Sequence, residues 1–243
     1  MKMLTFAGRN AKEILRDPLN LFFGLGFPLV LILLLSAIQA NIPVALFEIQ
    51  HLTPGVTVFG LSFMTLFSAT LIAKDRGSSL LRRLYTTPLT PVDFILGYTL
   101  PMLPIAVAQS VVCYAAAWAL GLKLTVGISY ALLGILPVSL LYIALGLLCG
   151  SVLTDKQAGG VCGALLTNLS AWMSGIWFDL DLVGDGFKRV ANLLPFVHMV
   201  ELERHIVGGR FTDAPPHLFP ILLYAVATLC GAVWLFLRQM KKA

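Results

Sequence analysis

Charge is what this sequence has least of. Of its 243 residues, 12% are Asp, Glu, Lys or Arg, about half of the roughly 25% usual in soluble domains. Hydrophobic residues make up 58% and the mean hydropathy is +0.88. So few charges could not cover so much apolar surface in water. In lipid the difficulty disappears, because the solvent is itself apolar. Catalytic signatures are missing too. No GxxxxGK followed by Ser or Thr occurs, so the chain has no phosphate-binding loop of that form. HExxH, CxxC and GxSxG are also absent. The four cysteines, Cys113, Cys149, Cys162 and Cys230, all lie in apolar runs without zinc or redox spacing, and they read as small buried hydrophobes. No membrane-buried carboxylate or histidine pair is evident for a proton relay, which argues against an ion-coupled carrier.

What is present is a set of apolar runs. A spanning helix needs about 20 mostly apolar residues. Six stretches qualify, at about 19–40, 54–73, 100–120, 126–153, 158–178 and 216–237. None has a charged residue in its middle. The expected fold is an all-α membrane protein, one transmembrane domain over 1–243 with no room for a second, soluble one. The basic start followed by a full-length apolar run does not read as a cleavable signal peptide.

The net charge of +5 falls in short blocks between apolar runs, so it reports orientation rather than a nucleic-acid partner. Twelve of the seventeen basic residues share one side if the N-terminus is inside: Lys2, Arg9, Lys12, Arg16, Lys74, Arg76, Arg82, Arg83, Lys156, Arg238, Lys241 and Lys242. Lys123, Lys188, Arg189, Arg204 and Arg210 fall outside. Both termini are therefore expected in the cytoplasm of a cell (plasma or inner) membrane protein.

The connecting segments carry pattern of their own. In residues 1–17, Leu4, Ala7, Ala11, Ile14 and Leu15 share a helical face away from most of the cations, as in a helix lying in the membrane interface. Asp17-Pro18 ends it. The longest inner loop runs from Lys74 to Tyr98. Gly77-Ser78-Ser79 can start a short helix with Leu80, Leu81, Leu84 and Tyr85 as an apolar stripe. Thr87-Pro88 and Thr90-Pro91 break it, and a second helix can start near Pro91. The outer stretch 179–215 is rich in apolar residues. Pro195 divides it into two amphipathic segments and Gly208-Gly209 closes it, which suggests half-helices that re-enter the outer leaflet.

Other residues leave alternatives open. His198 and His205 share a helix face, and Glu201 or Glu203 could add a metal ligand; solvated polar residues on an interfacial helix are the plainer reading. Trp172 and Phe178 belong either to an aromatic belt or to an outer substrate exit. Gln109 and Asn168, polar within spans, face either a substrate path or a neighbouring helix. Gly146, Gly150, Gly159, Gly160 and Gly163 permit close helix approach.

The run from Pro54 to Pro101 carries a resemblance. Pro54-Gly55, Lys74-Asp75-Arg76-Gly77-Ser78, the leucines from Leu80 to Leu84, Thr87-Pro88-Leu89 and Leu96-Gly97 follow one another in the order seen in ATP-binding-cassette type-2 permeases. Leu194-Pro195-Phe196 with Arg204 and Gly208 is similar to that family's outer region. The family often has Glu where this chain has Leu81 and Asp75. The resemblance implies an exporter permease with no ATPase site of its own and no cofactor. ATP and Mg would be bound by a separate ATPase subunit. Two permease chains, identical or related, would pair. The inner loop would dock as a coupling helix, with Leu80, Leu81, Leu84, Tyr85 and Leu89 as apolar contact and Arg82 and Arg83 as rim. The Thr87-Pro88 elbow would transmit movement. Short outer loops fit export of an amphiphile: a drug, a peptide antibiotic, a lipid or a lipid-linked glycan. A secondary carrier and a non-transporting membrane subunit are the rival readings.

Overall fold

The computed structural model describes residues 2–42, 44–78 and 90–240. Among them every regular element is helical. Helix α1 is Lys2–Leu15. Helix α2 is Pro18–Asn41, α3 is Ile49–Gly77, α4 is Val92–Ala119 and α5 is Val126–Val152. Helix α6 joins Asp155–Gly160, a wider turn at Val161–Leu166, and Thr167–Met173. Two shorter helices follow, α7 over Asp185–Leu193 and α8 over Pro195–Val207. Helix α9, Pro215–Met240, closes the described chain.

Five helices are long and apolar enough to cross a membrane: α2, α3, α4, α5 and α9. The expected stretch 158–178 behaves differently. Its helix starts on the charged turn Asp155-Lys156-Gln157 and stops at Met173, before Gly175 turns the chain with φ +69°. Glycine supplies that backbone at no steric cost. Counting apolar residues through the turn made the stretch look longer than its helix.

Local chemistry sets the ends. The Asp17 side chain accepts a hydrogen bond from the Asn20 backbone N–H, and Pro18 takes the first position of α2, where its missing N–H costs nothing. Thr90 and Asp93 form a reciprocal capping box at the start of α4, with Pro91 beside it. Thr154 and Gln157 do the same for α6. The regular helix of α4 is interrupted at Leu100-Pro101, between Pro91–Thr99 and Met102–Ala119.

Helix α3 is the centre. Of its apolar window 89% is buried, against 22% for α2 and 17% for α9, so α2 and α9 present most of their apolar surface outward. The tightest crossing is α3 on α5. A Cβ at Gly146 would sit 2.5 Å from the Thr65 carbonyl oxygen, and one at Gly150 would sit 2.6 Å from that of Ala69. Only glycine lets the backbones approach so closely. Gly159 and Gly160 have nothing within 4 Å, so they make no such approach.

The buried stripe of α1 is Phe6, Ala7, Asn10 and Ile14, while Leu4 and Leu15 stay exposed. The face turned to the protein is thus rotated from the one the leucines suggested. The Phe6 ring meets Phe94 and Tyr98 of α4 edge-on, at centroid distances of 5.6 and 5.0 Å.

Candidate coupling site and buried polar groups

Asp75 stands two residues before the end of α3 and is 2% exposed. A carboxylate so placed needs partners. Arg9 of α1 supplies a two-pronged pair, Nη1 to Oδ2 at 2.6 Å and Nη2 to Oδ1 at 2.8 Å. The Tyr98 hydroxyl of α4 donates to Oδ2 at 2.9 Å. Glu13 also pairs with Arg9, one turn along α1. Burial works against the Arg9 charge, but hydrogen bonding and attraction to Asp75 outweigh it and hold the guanidinium pKa above its ordinary value. Beside the pair, Asn10 Nδ2 donates to the Gly97 carbonyl at 3.0 Å. A Cβ at Gly97 would lie 2.2 Å from the Phe6 ring, so glycine is what admits α1 here.

Arg76 points the other way. Its guanidinium donates to the carbonyls of Val152 at 3.0 Å and Leu153 at 2.8 Å, and to that of Ser151. These lie at the C-terminal end of α5, where carbonyls lack helical partners and a cation is favoured. Gly77 ends α3 in open space. Asp75, Arg76 and Gly77 are thus brought together, with Arg9, Asn10 and Tyr98 added. Leu80, Leu81, Arg82, Arg83, Leu84, Tyr85, Thr87, Pro88 and Leu89 lie outside the described residues. Both roots of that segment are nonetheless tied: α3 to α1 and α5 by Asp75 and Arg76, α4 to α1 by the Phe6–Phe94–Tyr98 ring cluster.

At the far end, α8 packs on α3, α5 and α9. Arg204 is buried and donates to Glu201 at 2.9 Å and to the carbonyls of Gly175 and His51 at 3.3 and 3.5 Å. These groups, with Asp179, Lys188 and Arg210, line a polar cavity of about 460 Å³. A neighbouring cavity of about 570 Å³ shares His51 and Asp179 and is walled by Phe47, Trp177, Phe178 and Leu182.

The model of the ABC-2 type transporter family matches residues 2–207. This chain belongs to the ABC-2 type transporter family. A protein called Nodulation protein J, from Bradyrhizobium diazoefficiens, is 25% identical over 227 residues, covering 93% of this chain and 85% of its own length. An ABC-2 permease is a transport subunit rather than the ATPase, and membership implies an ABC ATPase partner. The matched region contains both halves of the Arg9–Asp75 pair.

The candidate path residues of this ABC-2 permease do not converge. Gln109 is fully buried between α3 and α4, its Nε2 donating to the Thr57 carbonyl at 3.2 Å. Asn168 is exposed and donates back to the Ala164 carbonyl at 2.8 Å. Trp172 is exposed on the same helix. Only Phe178 lines a described cavity.

Glu203 corrects two expectations, since it is not solvated and it is a buried carboxyl where none was evident. It is wholly buried between α4 and α5. The Tyr114 hydroxyl lies 3.2 Å from Oε2, while Oε1 has no hydrogen-bond partner and would meet a Cβ at Gly134 at 2.6 Å. Burial pushes this carboxyl up to about 8, only partly offset by Tyr114. The sequence conceals it because Glu203 belongs to α8, outside the apolar runs. Its only signal was position: on α8, Met199, Val200 and Ile206 mark the same buried face.

Proposed function

We propose that this chain is the permease of an ATP-driven ABC exporter that moves an amphiphilic substrate, a drug, peptide antibiotic, lipid or lipid-linked glycan, out of the cell. A separate ATPase subunit binds ATP and Mg, and a second permease chain completes the transporter. Both termini lie in the cytoplasm of the cell membrane, with α6 as a sixth, shorter crossing and α7 and α8 on the outer side. Segment 79–89 meets the ATPase. Gln109, Asn168, Trp172 and Phe178 remain the candidate substrate contacts.

The observation that carries this reading is the Asp75 cluster. Movement pressed on segment 79–89 enters at the end of α3 and the start of α4. Those two roots are tied to α1 through Arg9 and Tyr98 and to α5 through Arg76. A push from below therefore tilts α1, α3, α4 and α5 together instead of bending one helix. The test begins with affinity purification of the tagged protein from its native membrane. An ATPase with a phosphate-binding loop, recovered near one-to-one, supports the reading; an intact, monodisperse protein without one overturns it. Reconstitution of the pair should then give transport that requires ATP hydrolysis.

Glu203 favours one rival, an ion-coupled carrier, because a buried carboxyl is what such a carrier needs. Transport driven by a proton gradient without ATP would decide for it.

A further inference from the structure

Three of the four histidines gather at one place. His198 and His205 stand two turns apart on α8, and the His217 ring of α9 sits between them. The His198 and His217 centroids are 5.3 Å apart. Those of His205 and His217 are 5.1 Å apart and the rings are stacked. No group of three ligating side chains converges on a metal position among the described residues. The hydrogen bonds instead set where protons sit. His198 Nε2 lies 2.9 Å from the Asn192 carbonyl oxygen, which only accepts, so Nε2 carries a hydrogen. In the neutral ring Nδ1 is then bare. It faces His217 Nδ1 at 3.0 Å, so His217 must donate there. This bond joins α8 to α9.

The His198–His217 bond tolerates one extra proton and no more. His205 Nε2 lies 3.8 Å from Glu201 Oε2, which can balance a charge on that ring. Protonated His217 still donates to a neutral His198. A second proton on that pair, however, leaves an N–H on both Nδ1 atoms and sets two N–H groups against each other at 3.0 Å. A charge on His217 lies within ring contact of a charge on either neighbour. Few neighbours offset it. Glu201 is already engaged by Arg204. Asp213, on the turn before α9, is the other carboxylate facing His217. Arg204 and Arg210 add positive charge around the same cavity, as does His51 when protonated. Glu203 lies on the opposite, buried side of α8.

We infer that His198, His205 and His217 form a proton-operated latch between α8 and α9, closed while the His198–His217 pair holds at most one extra proton and released when both rings are charged, with His205 adding to the repulsion on His217. The latch lies at the end of the molecule away from Asp75, the outer side in the orientation proposed above. Release frees the helix that walls the polar cavity through Glu201 and Arg204. External acidification thus loosens the outer end. The inference does not depend on which partner or substrate the permease uses.

The test is hydrogen exchange of the whole chain in nanodiscs, followed by mass spectrometry over residues 195–207. Wild type is compared with His217→Asn, which keeps a donor near the Nδ1 position and cannot be charged. The comparison is made at about pH 7.5 and about pH 5.5, the window across which histidine titrates. Because both chains keep Glu203, its own titration cancels in the ratio of their protection. That ratio is expected to grow about tenfold in favour of H217N at the lower pH. His198→Asn is expected to behave likewise, so the inference survives if one variant folds poorly. An unchanged ratio for both variants overturns it. So would protection in the wild type that micromolar zinc increases and both variants abolish, because the array would then be a metal site.

Discussion

Asp75 and Glu203 are both buried carboxyls, and they illustrate two ways of tolerating one. Asp75 is charged and matched, by the two-pronged Arg9 bond and by Tyr98. Removing one partner of a buried pair strands the other. Arg9→Ala should therefore destabilise the protein by about 3 kcal/mol, near the low end for such pairs, because the Arg9 side chain is 37% exposed and water enters. Asp75→Asn should cost less, about 1–2 kcal/mol, since Arg9 keeps Glu13 and can reach water. Thermal unfolding in detergent orders the two; an R9A no worse than D75N would refute the stranded-charge account. Glu203 follows the opposite rule, because burial raises its pKa and favours the protonated form. Its folded pKa, about 8, exceeds the ordinary 4.5. Between these values the folded state binds more protons than the unfolded one, so stability falls as pH rises, by up to about 1.4 kcal/mol per pH unit. Glu203→Gln should remove that loss. The variant should match wild type near pH 5 and exceed it near pH 8. Parallel pH profiles would mean that the carboxyl is ionised in place.

At the scale of elements, small residues act only where backbones meet. Gly146→Ala places a methyl group 2.5 Å from the Thr65 carbonyl oxygen, so α3 and α5 must separate at a cost of about 1–3 kcal/mol. Gly159→Ala meets nothing and should add about 0.4–1 kcal/mol through reduced freedom of the unfolded chain. Melting temperatures should move in opposite directions; a shared direction would show that the crossing is not what glycine serves. The sequence made Gly146 and Gly159 look equivalent, since composition cannot tell which face of a helix is crossed. Long apolar runs were legible because lipid demands them, and the Pro195 division between α7 and α8 was legible from proline's backbone. The early end of α6 was not, because it depends on one turn at Gly175. Nor was the face of α1, where Asn10 is buried for the sake of the Gly97 carbonyl and displaces the leucines from the contact. Pairs such as Arg9 with Asp75, 66 residues apart, leave no periodic trace.

At the scale of the whole molecule, the proposed coupling depends on segment 79–89 and what presses on it. Its ends lie on α3 and α4, which are tied to α1 and α5, so a force applied there would spread through all four helices. Leu84 belongs to the stripe that the resemblance to ABC-2 permeases assigns to the ATPase groove. Leu84→Asp would carry a carboxylate into an apolar groove, a cost of several kcal/mol in order of magnitude. It should leave the protein's own melting temperature unchanged, because Asp75 keeps Arg9 and Tyr98 and Arg76 keeps the carbonyls at the end of α5. Recovery of the ATPase on affinity purification should fall sharply, and ATP-driven transport with it. R9A should give the reverse pattern, with lower stability and recovery of the ATPase in proportion to folded protein. If L84D retains both its ATPase and its transport, the contact lies elsewhere, and α1, already joined to the same root, becomes the surface to test.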